Sequence, residues 1–356
     1  MFRTKWIAPA GLAGAILAAA VSVSWGAGSA SADDARQSVV VYTALDQAQL
    51  PIYQQAFEAA YPKYTIQWVH GTGAAIATRL ISEKADPQAD AIWGLDMTDL
   101  VAVDAAGVLA HYKPTGFEML KDDFKDRRTG WPTWIGMDAW SSAICFNPQV
   151  AKEKGVPRPE MWKDLVNPQY KGQVVAPDPD ASPTGFLTVS GWLQMFGDTG
   201  GWDFMDLLHD NVKAYMPSGL KPCEAVANGE VAVGIAHLYA GVKLHNDGNP
   251  VEVILPSEGL GWEMETAAVV KGGKHLQAAQ ALEDFAASAA ANKLYNSYYQ
   301  VLARKDVEAV VPDGYPADAE AKLMVTPNDF YNIAPKSQIV LDEWKRRYGA
   351  KAAPRS

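Results

Sequence analysis

Basic residues are scarce in this chain. Lys and Arg number 31 against 41 Asp and Glu, a formal charge of −10 over 356 residues. So acidic a balance excludes a nucleic-acid partner, because phosphate backbones require clustered Lys and Arg. Histidine is scarcer still: its six copies fall at no metal-ligand spacing, so no metal is expected. The chain lacks G-x-S-x-G, H-E-x-x-H and a Walker loop, which leaves no announced nucleophile, zinc site or nucleotide cradle. It reads as a non-enzyme without a cofactor. Gly71-Thr72-Gly73 opens like a dinucleotide fingerprint but has Ile76 at the sixth position. Asp178 and Asp180 flank Pro179 without the further acid and the glycine of a calcium loop, and read as a solvated turn.

Long apolar runs are also missing, except at the N-terminus. There Arg3 and Lys5 precede an apolar stretch from Ile7 to about Val23, followed by Ala30-Ser31-Ala32 and then Asp33-Asp34. Charge, apolar core and A-x-A site in that order predict a secretory signal peptide over residues 1–32, cleaved after about Ala32. The alternative, a membrane anchor, is disfavoured because the run is short and rich in Ala and Gly. No Cys lies beside the cleavage site to carry a lipid. The mature chain, about 324 residues, exceeds what one ordinary core needs and predicts two lobes in the periplasm. In that oxidising compartment Cys145 and Cys223, which form no C-x-x-C, predict one disulfide, with paired buried thiols as the alternative. The bond would be worth about 4 kcal/mol on the chain-entropy model.

Strands and helices alternate from Val39. Val39–Tyr42, Thr65–Val69 and Ala89–Trp93 read as buried strands, separated by helices over Asp46–Tyr61 and Ala74–Lys84. That pattern means a parallel sheet with right-handed crossovers. It changes near Trp134–Asn147, where Ala143–Phe146 is a strand. A second alternation follows: strand Gln173–Ala176, helix Gly185–Phe196, helix Lys221–Asn228 and strand Val231–Ala236. Val251–Leu255 and Glu263–Val270 are further strands, then come helix Leu276–Ala287, the aromatic-rich Asn292–Tyr299 and an amphipathic tail over Asn328–Tyr348. The simplest path leaves the first lobe near Asp138 and returns near Val251. Lobe 1 is then 33–138 plus 251–356, and lobe 2 is 139–250.

Polar, glycine-containing turns recur where helices open. Gly71-Thr72-Gly73 precedes one helix and Ser182-Pro183-Thr184-Gly185 another. Each lies beyond a strand end, one per lobe, where open α/β sheets bind ligands. Free N–H groups, helix dipole and hydroxyls there favour an anion, although ordinary N-capping uses the same residues. Thr43 shares the first rim, and Ser218 joins from the second. Carboxylates gather at the crossings: Asp96, Asp138, Glu263 and Glu265, readable as an amine site or as hinge salt bridges. Tyr42, Trp93, Trp140, Tyr239 and Trp262 lie at strand ends and crossings, readable as a pocket wall or as core.

These residues resemble a known family. The mature chain looks like a type II periplasmic binding protein of an ABC importer, and within that group like the 2-aminoethylphosphonate-binding proteins. Matching stretches are Val41-Tyr-Thr-Ala-Leu-Asp46, Ala85-Asp-Pro-Gln-Ala-Asp90 with Trp93-Gly94, and Gly136-Met-Asp-Ala-Trp140 with Ile144-Cys-Phe-Asn147. Thr184-Gly-Phe-Leu-Thr-Val-Ser190, Lys221-Pro-Cys223 and Gly259-Leu-Gly-Trp262 continue it. The resemblance runs from about Val39 to Tyr348. It implies an α/β fold of two lobes, each a sheet flanked by helices, joined by a two-strand hinge. It also implies a monomer that delivers 2-aminoethylphosphonate to an inner-membrane ABC permease. The chain departs from the family pattern at His70-Gly-Thr-Gly73, where Asp-Ser-Thr-Gly is usual, at Pro183, and at Ala240, where an Arg often stands. The ligand's phosphonate would meet Thr43, Thr72, Gly73, Ser182, Thr184, Gly185 and Ser218. Its ammonium would meet Asp138, Glu265 and Asp96, against a wall of Tyr42, Trp93, Trp140 and Tyr239. Ferric iron would want adjacent tyrosines where His237-Leu238-Tyr239-Ala240 has one. A polyamine or thiamine-type cation would use the carboxylates but leave two anion-type turns unexplained. An exported hydrolase finds no nucleophile–base pair.

Overall fold

A computed structural model describes residues 36–128, 130–298, 301–324 and 328–354. The expected signal peptide, 1–32, lies outside the described residues. The chain opens with β1 (Gln37–Thr43), whose Val39, Val41 and Tyr42 are fully buried. Helix Leu50–Ala60 follows and buries Leu50, Tyr53 and Phe57 at helical spacing. Then come β2 (Tyr64–His70), helix Gly73–Ser82 and β3 (Ala91–Asp96). β1 runs parallel to both β2 and β3, as helical crossovers require. The remaining strands are β4 (Ile135–Phe146), β5 (Val174–Pro177), β6 (Val212–Met216), β7 (Val233–His237), β8 (Glu252–Ile254), β9 (Trp262–Val269) and β10 (Val301–Leu302).

β4 organises the sheet. All 12 of its residues are buried, and its two ends pair with different partners. Ile135 to Ser141 lie against β9, with β10 along the other edge at Asp138 and Ala139. This completes a half-sheet ordered β2-β1-β3-β9-β4. Ser142 to Phe146 lie against β7 and begin the second half, β4-β7-β5-β6, with β8 on the opposite edge. Each half has its own core. Val41, Phe57, Trp93, Ile135 and Phe285 belong to the first, and Ile144, Phe146, Trp162, Trp192, Phe204 and Ile235 to the second. The α/β fold of two lobes is therefore present, with β4 and the β8–β9 strap passing between them. Among the described residues no helix is long and apolar enough to cross a membrane.

The structure departs from the expected layout in places. β4 begins at Ile135 rather than Ala143, because the buried polar residues Asp138, Ser141 and Ser142 interrupt its apolar pattern. The outward crossing falls between Ser141 and Ser142, whose partners are Trp262 and His237 respectively, and not at Asp138. β8 still pairs in the second half, so the return comes after Ile254. The helical tail does not join the first lobe. Helix Ser337–Tyr348 must bury Trp344 and Tyr348, and the second core receives both; Trp344 meets Tyr215 at 4.8 Å between ring centroids. The helix expected over Gly185–Phe196 spans Pro183–Asn211, broken at Gly197, whose φ of 75° suits only glycine. Cys145 on β4 and Cys223 on helix Lys221–Ala227 are joined as a disulfide with Cα atoms 5.5 Å apart.

Candidate ligand-binding site

Strand register builds the first half of the site. β3 pairs Asp96 with Glu265 of β9, and β9 pairs Glu265 with Asp138 of β4. These three carboxylates therefore stand in one row across adjacent strands, where directly opposed Cβ atoms are about 4.5–5.5 Å apart and like charges destabilise the sheet. Irregularities between Trp93 and Leu95 and between Gly136 and Asp138 set this register. Gly94 supplies the first of them with a φ of 82°. Glu263 lies opposite Trp140 two pairs further along, takes a hydrogen bond from the Thr98 hydroxyl and accepts another from the Met264 N–H at 3.0 Å.

Asp138 is fully buried, Glu263 and Glu265 are nearly so, and Asp96 is half-buried. Desolvation is the main cause of the raised Asp96 carboxyl, pushed up to about 7, with Asp99 as the neighbouring charge. Burial alone lifts Asp99 to about 6. Asp138 is held well above the carboxylate range by desolvation and then by Glu265 and Asp96. Glu263 is raised by desolvation and by Asp96. Both carboxyl oxygens of Asp138 lack a hydrogen-bond partner. Among the described residues no Lys or Arg forms an ion pair with Asp96, Asp99, Asp138 or Glu263. Buried like charges without a counter-ion are costly. A cation placed among them would relieve that cost.

An aromatic cluster backs the row. Tyr53 stacks on Trp93 (centroids 5.3 Å, 27°) and meets Tyr295 and Tyr298 edge-on at 5.4 and 6.3 Å. Tyr53 interacts electrostatically with both Asp138 and Glu265. Helical spacing marks Tyr53 as core, and nothing in its spacing separates it from Leu50 or Phe57.

The second half of the site is a turn. Ser182 precedes helix Pro183–Asn211 without making a side-chain cap, and Pro183 has no N–H to offer. The next N–H groups are among those a helix leaves without internal partners, and the helix dipole favours an anion beside them. Gly185 packs so closely on the backbone of Pro179 that an added Cβ would lie 2.7 Å away. A side chain at Gly219 would overlap the Thr184 hydroxyl and come within 3.2 Å of Ser182 Oγ. Ser182, Thr184, Gly185 and Gly219 thus converge, while Ser218 Oγ accepts from the Leu220 N–H at 3.2 Å.

Trp140 and His237 connect the two parts. Their rings stack at 5.0 Å and 8°. The His237 N–H donates to the Gly219 carbonyl at 3.0 Å, and its Nδ1 accepts from the Tyr239 N–H. Burial pushes the imidazole down to about 4, so the ring is neutral at pH 7. The wall therefore leads from Gly219 through His237 and Trp140 to Glu263 and Asp138 without adding a charge.

Other expected residues lie differently. Thr72 caps its helix through the Ala75 N–H. Gly73 lies against the Asp99 carboxylate, which occupies the position a Cβ would take. The first-half turn thus faces a negative charge and is a poor anion seat. Thr43 is fully buried and its hydroxyl accepts from the Leu45 N–H at 3.1 Å. Tyr42 sits under helix Gly73–Ser82, with its hydroxyl on Glu83 at 2.8 Å and Arg79 over its ring. Trp93 is in the aromatic cluster, and Tyr239, half-buried, lies in the first turn of helix Leu238–Asn246. Asp178 is buried rather than solvated, and its Oδ1 accepts from the Asp180 N–H. Asp99, three residues after Asp96, is the acid missed from the sequence. Open depressions elsewhere, one lined by Lys121, Val307 and Tyr315 and one by Asp104, Arg128 and Tyr331, do not touch the row.

Comparison with known proteins agrees with this architecture. The family described as bacterial extracellular solute-binding protein matches residues 102–332. A Haemophilus influenzae protein is 26% identical over 338 residues, covering 93% of this chain and 94% of its own. A probable ABC transporter periplasmic-binding protein, y4fP, of Sinorhizobium fredii is 26% identical and covers 82% of this chain and 80% of its own. Among solved structures, the periplasmic binding protein AfuA of Actinobacillus pleuropneumoniae, with fructose-6-phosphate bound, superposes with a TM-score of 0.73. It is 22% identical and covers 88% of this chain and 99% of its own.

Proposed function

The chain belongs to the bacterial extracellular solute-binding protein family and is the solute-binding component of an ABC importer; from that premise we propose that its solute is a small zwitterion, 2-aminoethylphosphonate. The observation that carries this reading is the row Asp96–Glu265–Asp138, which has the form of an ammonium receptor. The open helix N-terminus at Thr184 and Gly185 suits the phosphonate, with Ser182 and Ser218 beside it and Trp140 as the wall between the two ends. The ligand is captured by closure of the lobes about β4 and the β8–β9 strap, released to an inner-membrane permease, and not chemically altered. Export through the signal peptide 1–32 and action as a monomer belong to the same proposal.

The test is a ligand panel on the mature protein, read by Trp fluorescence and melting temperature. It comprises 2-aminoethylphosphonate, phosphate, ethanolamine, putrescine, spermidine and Fe(III). We expect saturable stabilisation by the aminophosphonate well beyond that given by ethanolamine or phosphate alone. Stabilisation by Fe(III) only would sink the reading. A second reading is favoured by the acids Asp99 and Glu263, which bring more carboxyl groups beside Asp96 than one ammonium needs. A polyamine would use that excess, and tighter binding of putrescine or spermidine than of the aminophosphonate would select it.

A further inference from the structure

We propose that helix Ala317–Leu323 is a clamp on the back of the hinge, and that Glu320, through Ser141 and Tyr315, limits how far the lobes open. The clamp requires capture by lobe closure, as proposed above, whichever solute is captured. Glu320 is fully buried, and both of its carboxyl oxygens are engaged. Oε1 accepts from the Ser141 hydroxyl at 2.6 Å, and Oε2 accepts from the Tyr315 hydroxyl at 2.8 Å. Ser141 is the last residue of β4 to pair with β9, so the first bond is made at the outward crossing itself. Tyr315 packs in the second half on Ala143, Leu238 and Val242, and Asn246 Nδ2 donates to the nearby Asp313 carbonyl at 3.0 Å. The returning crossing is held as well. Leu260, in the β8–β9 strap, donates its N–H to the Leu323 carbonyl at 2.6 Å and bridges to Met324. Leu260 belongs to the second core and Met324 to the first. One short segment thus touches both crossings and both cores.

A buried carboxyl is a poor filler for that space. Burial pushes Glu320 up to about 7, and the Ser141 and Tyr315 hydroxyls act against that shift. No Lys or Arg among the described residues pairs with it, and an apolar side chain would avoid the desolvation. What the carboxyl adds is direction: one hydrogen bond to each side of the crossing. Apolar contacts slide as lobes turn, whereas hydrogen bonds hold only over a few tenths of an ångström. Opening that carries Ser141 away from Tyr315 breaks at least one of them and strands a buried carboxyl oxygen, which opposes the motion. Side chains alternate along a strand, so Ser141 faces away from Asp138 and Trp140. The clamp therefore acts from behind the sheet. It changes affinity by shifting the population of open and closed forms, without touching the ligand.

The experiment is small-angle X-ray scattering of the ligand-free mature protein, paired with calorimetric titration of 2-aminoethylphosphonate. Wild type is compared with Ser141→Ala, Tyr315→Phe and Glu320→Ala. Each hydroxyl variant removes one bond and little volume. Both should raise the ligand-free radius of gyration and weaken 2-aminoethylphosphonate about fivefold, as loss of one ordinary hydrogen bond would. In the Glu320→Ala background neither hydroxyl substitution should widen the protein further, because the bond it removes is already gone. Ligand-free scattering identical to wild type in both hydroxyl variants would overturn the clamp and make Glu320 a packing residue, whatever happens to the melting temperature. If Glu320→Ala does not fold, the two hydroxyl variants decide alone. If wild type ignores 2-aminoethylphosphonate, the phosphonate reading falls, and the ligand-free scattering still decides the clamp.

Discussion

Replacing Asp138 with Asn removes the ionisable group at the end of a row of three. In the empty protein desolvation, Glu265 and Asp96 together hold the Asp138 carboxyl well above its usual range. That environment favours the neutral form of the carboxyl, which asparagine resembles in size and polarity. The empty variant should then unfold with a free energy within about 1 kcal/mol of wild type, on the stable side if anything. The liganded state differs, because an ammonium selects the ionised carboxylate. Losing one charge-assisted hydrogen bond costs about 1.5–3 kcal/mol, a weakening of roughly 10- to 150-fold. Calorimetry in buffers of different ionisation enthalpy adds a second readout. Wild type should release protons on binding 2-aminoethylphosphonate near pH 6.5, and Asp138→Asn should release fewer. Strong destabilisation of the empty protein with unchanged affinity would refute the reasoning and make Asp138 a structural hinge residue.

Further expectations concern the rest of the site and the fold. Asp96 and Asp99 have folded values of about 7 and about 6, above the unfolded value near 3.9. Such a carboxyl binds its proton more readily when folded, so its contribution to stability is complete below the unfolded value and lost as pH rises through the folded one. The empty protein's melting temperature should thus rise as pH is lowered from 8 to 5, and Asp96→Asn should flatten that rise, whereas an unchanged slope would contradict the assignment. Thr184→Ala should weaken 2-aminoethylphosphonate about tenfold and leave ethanolamine unaffected, measured by calorimetry. Gly191→Ala would place a Cβ 2.6 Å from Gly261 Cα, where helix and strap touch; overpacking there should cost about 1–3 kcal/mol in denaturant unfolding. Cys145→Ser with Cys223→Ser opens a loop of 78 residues and should lower the melting temperature by several degrees, for a loss of about 4 kcal/mol less any strain.

How much of this was legible in the sequence depended on whether burial was apolar. β1 shows itself because Val39, Val40 and Val41 are an unbroken run, and the helix break at Phe196 shows because Gly197 follows. β4 is hidden because its middle is polar: Asp138, Ser141 and Ser142 are buried for the site and the hinge, and pattern reading takes buried polar residues for a loop. The carboxylates themselves could be named from their places at strand ends and crossings. Their alignment in one row could not, since it depends on the register of three strands and two local irregularities. Asp99 and Gly73 illustrate the opposite error, in which a turn with anion-binding residues is closed by an acid from a neighbouring helix.

The most direct measurement is the crystal structure of the mature protein with 2-aminoethylphosphonate. The amine nitrogen should lie within about 3 Å of Asp138 and Glu265, and the phosphonate oxygens on the Thr184 hydroxyl and the Gly185 N–H. A phosphonate against the carboxylate row, or a ligand held outside the space between the lobes, would contradict it.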